Sequence, residues 1–268
     1  MTIPVACVVT ETHIKEFLLL KFSLETYHSC KWYLACDEFS YNELKKFENC
    51  VCRKTEIKSG NVFGTPESSS NFFNAVLEKF TSSREALKEN PYVLLLDSDI
   101  IFTNPLDCRF HELANSNLDL VASPHYQWNP TMDAAWGKYN VGFNLLKSTK
   151  FIDAWEALTL KKIHRFEQVP MAKLLETDEF VFEEFPINYN MGWWRFNNNL
   201  SRVRLNSFDF KAGRIVYDGS DVVSFHFHTF VECVHSQKFK PAIFDALAQS
   251  KIYESLLNKY EEIKGLYV

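Results

Sequence analysis

An apolar segment that runs directly into an acid-Ser-acid triplet constrains this chain more than any other feature. Residues 92–96 are all aromatic or aliphatic, Asp97-Ser98-Asp99 follows, and residues 100–102 are apolar again. A continuous apolar run of this length is typical of a strand that is buried on both faces of a parallel sheet. Two carboxylates at the end of such a strand are costly to bury unless a positive charge compensates them, and divalent cations prefer oxygen ligands. Since ligands of open α/β sheets bind beyond the carboxyl ends of the strands, this segment predicts a metal-assisted site.

Strand and helix patterns alternate along the rest of the chain. Apolar runs predict strands at 3–9, 32–36, 51–53, 92–96, 118–123, 139–146, 214–217 and 222–228. Helical spacing predicts helices at 17–24, 41–47, 72–88, 151–160 and 169–175, and an amphipathic helix at 242–264. A polar stretch at 59–70 predicts a loop. The alternation predicts a single α/β domain over residues 1–268, with a mostly parallel, Rossmann-like central sheet flanked by helices and the C-terminal helix packed on it.

Composition excludes several classes of protein. The 268 residues carry 29 Lys and Arg against 34 Asp and Glu, a net charge of −5, which argues against a protein that binds nucleic acid through its phosphates. Seven scattered cysteines, an odd number without zinc-site spacing, fit a reducing compartment. No apolar window approaches the roughly 20 residues of a membrane span, and residues 1–10 lack the features of a signal peptide. We therefore expect a soluble, cytoplasmic protein.

Two histidines near the C-terminus are candidates to complete the metal site. His226 and His228 lie two residues apart in the predicted strand 222–228, so both side chains face the same side of the sheet. One imidazole nitrogen together with two aspartates suits Mn²⁺ better than an all-oxygen site would. Satisfied core histidines are the alternative, and the sequence does not distinguish which of the two binds a metal.

The ordered set of motifs resembles the DxD-containing nucleotide-sugar glycosyltransferases of the GT-A fold. Asp97-Ser98-Asp99 stands where the family has its DxD motif, and Tyr139–Asn144 is similar to the "N-x-G" strand that follows it. Asp178-Glu179 resembles the acidic pair of the family-8-like branch, and Ser224–His228 resembles the segment with the late metal-binding histidine. The resemblance covers roughly residues 1–230. The branch is left open, because the segment after His228 carries Lys238-Phe239-Lys240-Pro241 and no "G-x-x-K-P-W".

The resemblance implies a donor site around the triplet. It implies that Asp99 binds Mn²⁺ or Mg²⁺ directly, that Asp97 reaches the ribose or a metal-bound water, and that Asn140 and Gly142 contribute to the binding of a UDP- or GDP-sugar. Lys79, on the helix before the triplet, occupies a position where the family often has a basic residue near the nucleotide, and Arg84 is the competing candidate. A solvated helix face explains either residue equally well.

Other carboxylates and aromatic residues are candidates for the acceptor side. Asp178 and Glu179 are candidates for acceptor contact or for a general base, with Asp133 as second choice, although a plain surface charge is the simpler interpretation of each. Sugar rings stack well on aromatic side chains. The tryptophans in loop-like stretches are therefore candidates for binding a glycan acceptor: Trp128, Trp136, Trp193 and Trp194.

The function expected from these observations is metal-dependent transfer of a sugar from a nucleotide-diphosphate donor to a hydroxyl of a glycan or glycoconjugate. Two alternatives stay open. A nucleotidyltransferase acting on sugar phosphates would also bind a nucleotide and a metal, but residues 3–13 contain none of the glycines of a phosphate-binding loop. A non-catalytic carbohydrate-binding protein would need the aromatic residues but not the buried acidic triplet.

Overall fold

A computed structural model describes residues 2–57, 66–125, 137–161, 167–196, 208–231 and 240–267, without the side chains of 66–69. Three residues considered above lie outside this range: Trp128, Asp133 and Trp136.

The described part of the chain is a mixed α/β structure. Its strands, in chain order, are β1 (Ile3–Val9), β2 (Cys30–Cys36), β3 (Cys50–Lys54), β4 (Val93–Leu96), β5 (Ile100–Phe102), β6 (Leu120–Pro124), β7 (Tyr139–Leu146), β8 (Phe182–Glu184), β9 (Met191–Gly192), β10 (Phe208–Lys211), β11 (Arg214–Tyr217), β12 (Ser220–Asp221) and β13 (Ser224–His226). Its α-helices are α1 (Ile14–Glu25), α2 (Glu38–Leu44), α3 (Pro66–Leu87), α4 (Cys108–Asn115), α5 (Thr149–Leu160), α6 (Gln168–Leu175), α7 (Lys240–Leu247) and α8 (Tyr253–Lys264). Among these helices, none combines the length and the apolar character needed to cross a membrane.

Seven strands form the central sheet, in the order β3-β2-β1-β4-β7-β6-β8. β1, β2, β3 and β4 are parallel, β7 runs in the opposite direction, and β6 and β8 return to the direction of β4. The expected mostly parallel sheet is therefore confirmed. The carboxyl ends of β1, β4, β6 and β8 and the amino end of β7 share one edge of the sheet, where a ligand of this architecture binds.

A second, small sheet continues from β4. Its order is β5-β13-β9, with β13 antiparallel to β5 and parallel to β9. β5 follows β4 after only Asp97-Ser98-Asp99, so the triplet is the connection between the two sheets. This connection fixes the position of the acidic side chains relative to both sheets.

Helices cover both faces of the central sheet and so bury it. On one face, Phe17 and Leu20 of α1 belong to a core cluster with β1, β2 and β4. On the other face, Phe80 of α3 meets Trp155 of α5 in an edge-to-face contact. This double cover explains why Val93–Leu96 is apolar at every position, since both faces of β4 are fully buried.

α4 was not predicted from the sequence, and two other helical segments differ substantially from the expectation. α3 begins at Pro66, inside the stretch expected to be a loop, because proline is well suited to the first turn of a helix although it disfavours helix interiors. The segment 242–264 forms two helices, α7 and α8, instead of one. The hydroxyl of Ser250 donates to the carbonyl of Leu247 at the end of α7, and the N–H of Lys251 donates to Gly213 O, which diverts the backbone from the helix.

Candidate active site

The acidic triplet is held by one backbone hydrogen bond from each sheet. The N–H of Asp97 donates to Gly142 O at 2.8 Å, which extends the pairing of β4 with β7. The N–H of Phe227 donates to Asp99 O at 2.9 Å, which extends the pairing of β5 with β13. The two carboxylates are therefore fixed at the point where the sheets meet, rather than on a loose turn.

The structure brings the two aspartates and His226 together. Asp97, Asp99 and His226 each offer one ligand atom, and these atoms lie within 4.8 Å of one another. His226 Nε2 lies 3.1 Å from Asp99 Oδ1 and 3.9 Å from Asp97 Oδ2. His226 and Asp99 are buried, whereas Asp97 is partly open to solvent.

This donor set fits a divalent cation. Ligands at about 2.1 Å in an octahedral shell lie about 3 Å apart when adjacent and about 4 Å apart when opposite, which matches the two distances from His226 Nε2 to the aspartate oxygens. Two carboxylates and one imidazole form a set that Mn²⁺ and related ions accept. The partial exposure of Asp97 leaves one side of the set accessible to a ligand.

His228 lies on the other side of Asp99. Its Nδ1 is 3.1 Å from Asp99 Oδ2, so each oxygen of this carboxylate faces one histidine. Burial would raise the pKa of Asp99, but the adjacent His226 and His228 hold this pKa well below its usual value. Asp99 therefore carries its negative charge despite being buried. β13 ends at His226, so His228 lies just beyond the strand in which it was expected, although both imidazoles contact Asp99.

Lys79 lies at the site and binds two carboxylates. Its Nζ is 2.7 Å from Asp97 Oδ1 and 3.2 Å from Oε1 of Glu167, which is 2% exposed. Burial would lower the pKa of Lys79, but Asp97 and Glu167 outweigh this effect and raise it above its ordinary value. Lys79 is thus a permanent cation that orients the Asp97 carboxylate. Glu167 is 88 residues away in the chain and was not expected from the sequence.

Gly142 allows the close approach of Asp97 and His226. A Cβ atom at this position would lie 2.5 Å from Asp97 Oδ2 and closer still to His226 Cε1. Real Cβ atoms do not approach other atoms so closely. The glycine expected from the "N-x-G" pattern therefore provides the space in which the side chains of Asp97 and His226 meet.

A buried carboxylate of α1 holds the segment after His228. Oε1 of Glu16 accepts three consecutive backbone N–H groups, from Thr229 at 2.8 Å, Phe230 at 2.7 Å and Val231 at 3.0 Å. Burial raises the pKa of Glu16 although these N–H groups act in the opposite direction. The contact connects the position of His228 to α1.

Three buried polar atoms, on Trp194, on Glu167 and on its chain neighbour Gln168, have no hydrogen-bond partner that the structure shows among the described residues. They are Glu167 Oε2, Gln168 Oε1 and Trp194 Nε1. Glu167 adjoins Lys79, and the ring of Trp194 meets that of His226 edge to face at a centroid distance of 5.0 Å. Unsatisfied buried polar atoms are rare and need an explanation, of which a polar ligand is one. Neither Glu167 nor Gln168 stood out in the sequence.

Several expected residues lie elsewhere. Arg84 pairs with Asp153 and Glu156 of α5 instead. Asp178 and Glu179 precede β8, and β8 runs parallel to β6 with Phe182 opposite Leu120. They therefore lie at the amino end of the strands, while Asp97 and Asp99 lie beyond the carboxyl end of β4. Glu179 is exposed and pairs with Lys150 at 3.1 Å. The structure thus does not bring Arg84, Asp178 or Glu179 to the site.

Comparison with known proteins supports the fold. No family model matches the chain, and no curated protein matches its sequence. Solved structures do match. Mouse xyloside xylosyltransferase 1 superposes with a TM-score of 0.52 at 13% identity, over 87% of this chain and 100% of that one. The galactosyltransferase LgtC, in complex with donor and acceptor sugar analogues, has a TM-score of 0.54 at 12% identity, over 96% of this chain and 100% of that one. The bifunctional glycosyltransferase WbbM has a TM-score of 0.52 at 10% identity, over 96% of this chain and 51% of that one.

The chain therefore has the GT-A fold of glycosyltransferases, with an Asp97-x-Asp99 triplet and His226 clustered where the central sheet meets the small β5-β13-β9 sheet. At this level of identity the likeness establishes the architecture.

Proposed function

We propose that this protein is a metal-dependent glycosyltransferase that moves a sugar from a nucleoside-diphosphate sugar to a hydroxyl of a glycan or glycoconjugate. The observation that carries the proposal is the cluster of Asp97, Asp99 and His226 beyond the carboxyl end of β4. In the transfer, the bond between the anomeric carbon and the diphosphate oxygen breaks. A bond from that carbon to the acceptor oxygen forms, and the proton of the acceptor hydroxyl passes to the departing diphosphate or to solvent. A bound divalent cation would neutralise the charge that develops on the departing diphosphate.

The residues of the chain keep this site in place. Lys79 forms an ion pair with the Asp97 carboxylate, and His228 contacts Oδ2 of Asp99. Gly142 leaves space for the metal ligands to meet, and Glu16 fixes the segment after His228. Because these contacts are internal to the protein, little reorganisation is needed when the donor binds.

Glu167 and Gln168 are the residues that we assign to the hydroxyls of the donor sugar. Glu167 Oε2 and Gln168 Oε1 accept no hydrogen bond among the described residues, and sugar hydroxyls are donors of the kind they lack. Lys79 contacts both Glu167 and Asp97, and Gln168 follows Glu167 in the chain, which supports a role for both residues close to the proposed diphosphate position. Trp194, whose ring contacts that of His226, is the aromatic residue that we assign to stacking on the acceptor sugar.

We expect Gln168→Leu to lower kcat/KM for the donor by about 10–100-fold, the value of one or two well-placed hydrogen bonds. Mn²⁺ affinity, measured by electron paramagnetic resonance, should stay unchanged, because Gln168 is not among the metal ligands. Gln249→Leu, on the exposed surface, is the matched control and should leave both quantities unchanged. Unaltered kinetics in Gln168→Leu would remove this residue from the donor site.

A thermal-shift experiment tests the function itself. With Mn²⁺ present, UDP or GDP at 100 times its Kd should raise the Tm by about 5 °C, because selective binding to the folded state adds about 2.7 kcal/mol. The nucleotide without the metal should shift the Tm much less. No shift with either nucleotide, with or without Mn²⁺, would contradict the proposal.

A donor screen defines the reaction further. Hydrolysis of UDP- and GDP-sugars in the presence of Mn²⁺ would identify the base and the sugar. The anomer of the released sugar, measured by NMR, would show whether configuration is retained or inverted. Release of pyrophosphate from a nucleoside triphosphate and a sugar phosphate would instead favour a nucleotidyltransferase.

A further inference from the structure

Two buried asparagines connect the central sheet to His226. Oδ1 of Asn140, on β7, accepts the backbone N–H of Gly142 at 2.9 Å and Nδ2 of Asn190 at 3.0 Å. Oδ1 of Asn190 lies 3.2 Å from Nδ1 of His226. Asn140 is 6% exposed and Asn190 is fully buried, so water does not replace these contacts.

The direction of every hydrogen bond in this chain of contacts follows from one backbone group. The N–H of Gly142 can only donate, so the atom of Asn140 that faces it must be the oxygen. That oxygen can only accept, so Asn190 must present its NH₂ group to Asn140. The oxygen of Asn190 is then turned toward His226 Nδ1, which must therefore carry a proton to donate.

A proton on Nδ1 leaves Nε2 as the atom that can offer a lone pair to a metal. Nε2 is also the atom of His226 that faces Asp97 and Asp99. In known metal sites, the partner of the second histidine nitrogen fixes the tautomer and the ring orientation. The edge contact of Trp194 with the His226 ring restricts its rotation further.

We propose that Asn140 and Asn190 are positioning residues that set the tautomer of His226, so that Nε2 is directed at a divalent cation held by Asp97 and Asp99. The proposal rests on the metal site of the proposed function and adds a role for two residues that do not touch the cation. It also reassigns Asn140, which the sequence associates with the nucleotide, to the support of the metal ligand.

Mn²⁺ affinity tests the proposal. Asn190→Leu keeps the approximate volume and removes the acceptor, and we expect it to weaken Mn²⁺ binding by about 10–100-fold in an electron paramagnetic resonance titration. Asn144→Leu is the matched control. Asn144 is also fully buried, but its oxygen accepts the N–H of Ser123 and does not face His226. This variant should lose stability without losing Mn²⁺ affinity.

A spectroscopic measurement on the unmutated protein covers the case in which Asn190→Leu does not fold. Long-range ¹H–¹⁵N correlations of histidine-labelled protein with diamagnetic Cd²⁺ should show His226 Nδ1 protonated and Nε2 bound to the metal. An Nδ1-bound metal, or unchanged Mn²⁺ affinity in Asn190→Leu, would overturn the proposal while leaving the metal site intact. Failure of the unmutated protein to bind Mn²⁺ or Cd²⁺ would overturn both this proposal and the metal dependence of the proposed function.

Discussion

Replacing Asp99 by asparagine should lower kcat by roughly a thousandfold and abolish detectable Mn²⁺ binding. The Asp99→Asn side chain has nearly the shape of the original but no charge, so the fold should persist while the cation loses a ligand. A metal ion contributes several kcal/mol of transition-state stabilisation, and each 1.36 kcal/mol corresponds to about a tenfold change in rate. A donor turnover assay measures the first part, an electron paramagnetic resonance titration with Mn²⁺ measures the second, and circular dichroism verifies folding.

Asp153→Asn is the matched control for Asp99→Asn. Asp153, on α5, also forms an ion pair, but with Arg84 and at an exposed position. Its removal should cost at most about 1 kcal/mol of stability and leave turnover unchanged. Wild-type turnover in a folded Asp99→Asn protein would mean that the metal site lies elsewhere in the chain.

Gly142→Ala should have an effect of similar size, although it changes no ligand. The added methyl group would force Asp97 and His226 apart, because it would lie 2.5 Å from Asp97 Oδ2 and nearer to His226 Cε1. Two ligands displaced by even about 1 Å no longer meet on one ion, so we expect loss of Mn²⁺ binding and a drop in kcat of at least about a hundredfold. Isothermal titration calorimetry measures the loss of Mn²⁺ binding, and circular dichroism shows whether the variant is still folded.

Gly265→Ala provides the comparison for Gly142→Ala. A Cβ atom on Gly265, at the end of α8, would make only ordinary contacts, the nearest at 3.6 Å from Glu262 O. This variant should keep both Mn²⁺ binding and turnover. Normal Mn²⁺ affinity in Gly142→Ala would show that the site adapts to the methyl group and that the glycine is not required for this reason.

The centre of the site could be predicted because its signals are local in the sequence. An apolar run that ends in two carboxylates indicates a buried strand with a charged end, and the i, i+2 spacing of His226 and His228 indicates a shared face. Both expectations depend only on neighbouring residues. What only the structure shows is that these two segments lie side by side, with Asp99 in contact with both histidines.

The residues around this centre could not be predicted for reasons of topology and distance. Residues that precede a strand lie at its amino end, so Asp178 and Glu179 are separated from the triplet by the length of the sheet even though they resemble a motif. Glu167 reaches the site through a contact with Lys79 that spans 88 residues, and nothing in its neighbourhood in the sequence signals this contact. The pairing of Arg84 with α5 depends equally on tertiary packing.

The position of Asp97-Ser98-Asp99 between the two sheets has a consequence for stability. A cation bound there would contact Asp97, which follows β4 of the central sheet, and His226, which lies in β13 of the small sheet. The free energy of metal binding would therefore oppose separation of the two sheets. Linkage then requires that amide hydrogens of β5 and β13 exchange more slowly as metal concentration rises. We expect chelation of the metal to raise the exchange rates of these amide hydrogens before those of the central sheet.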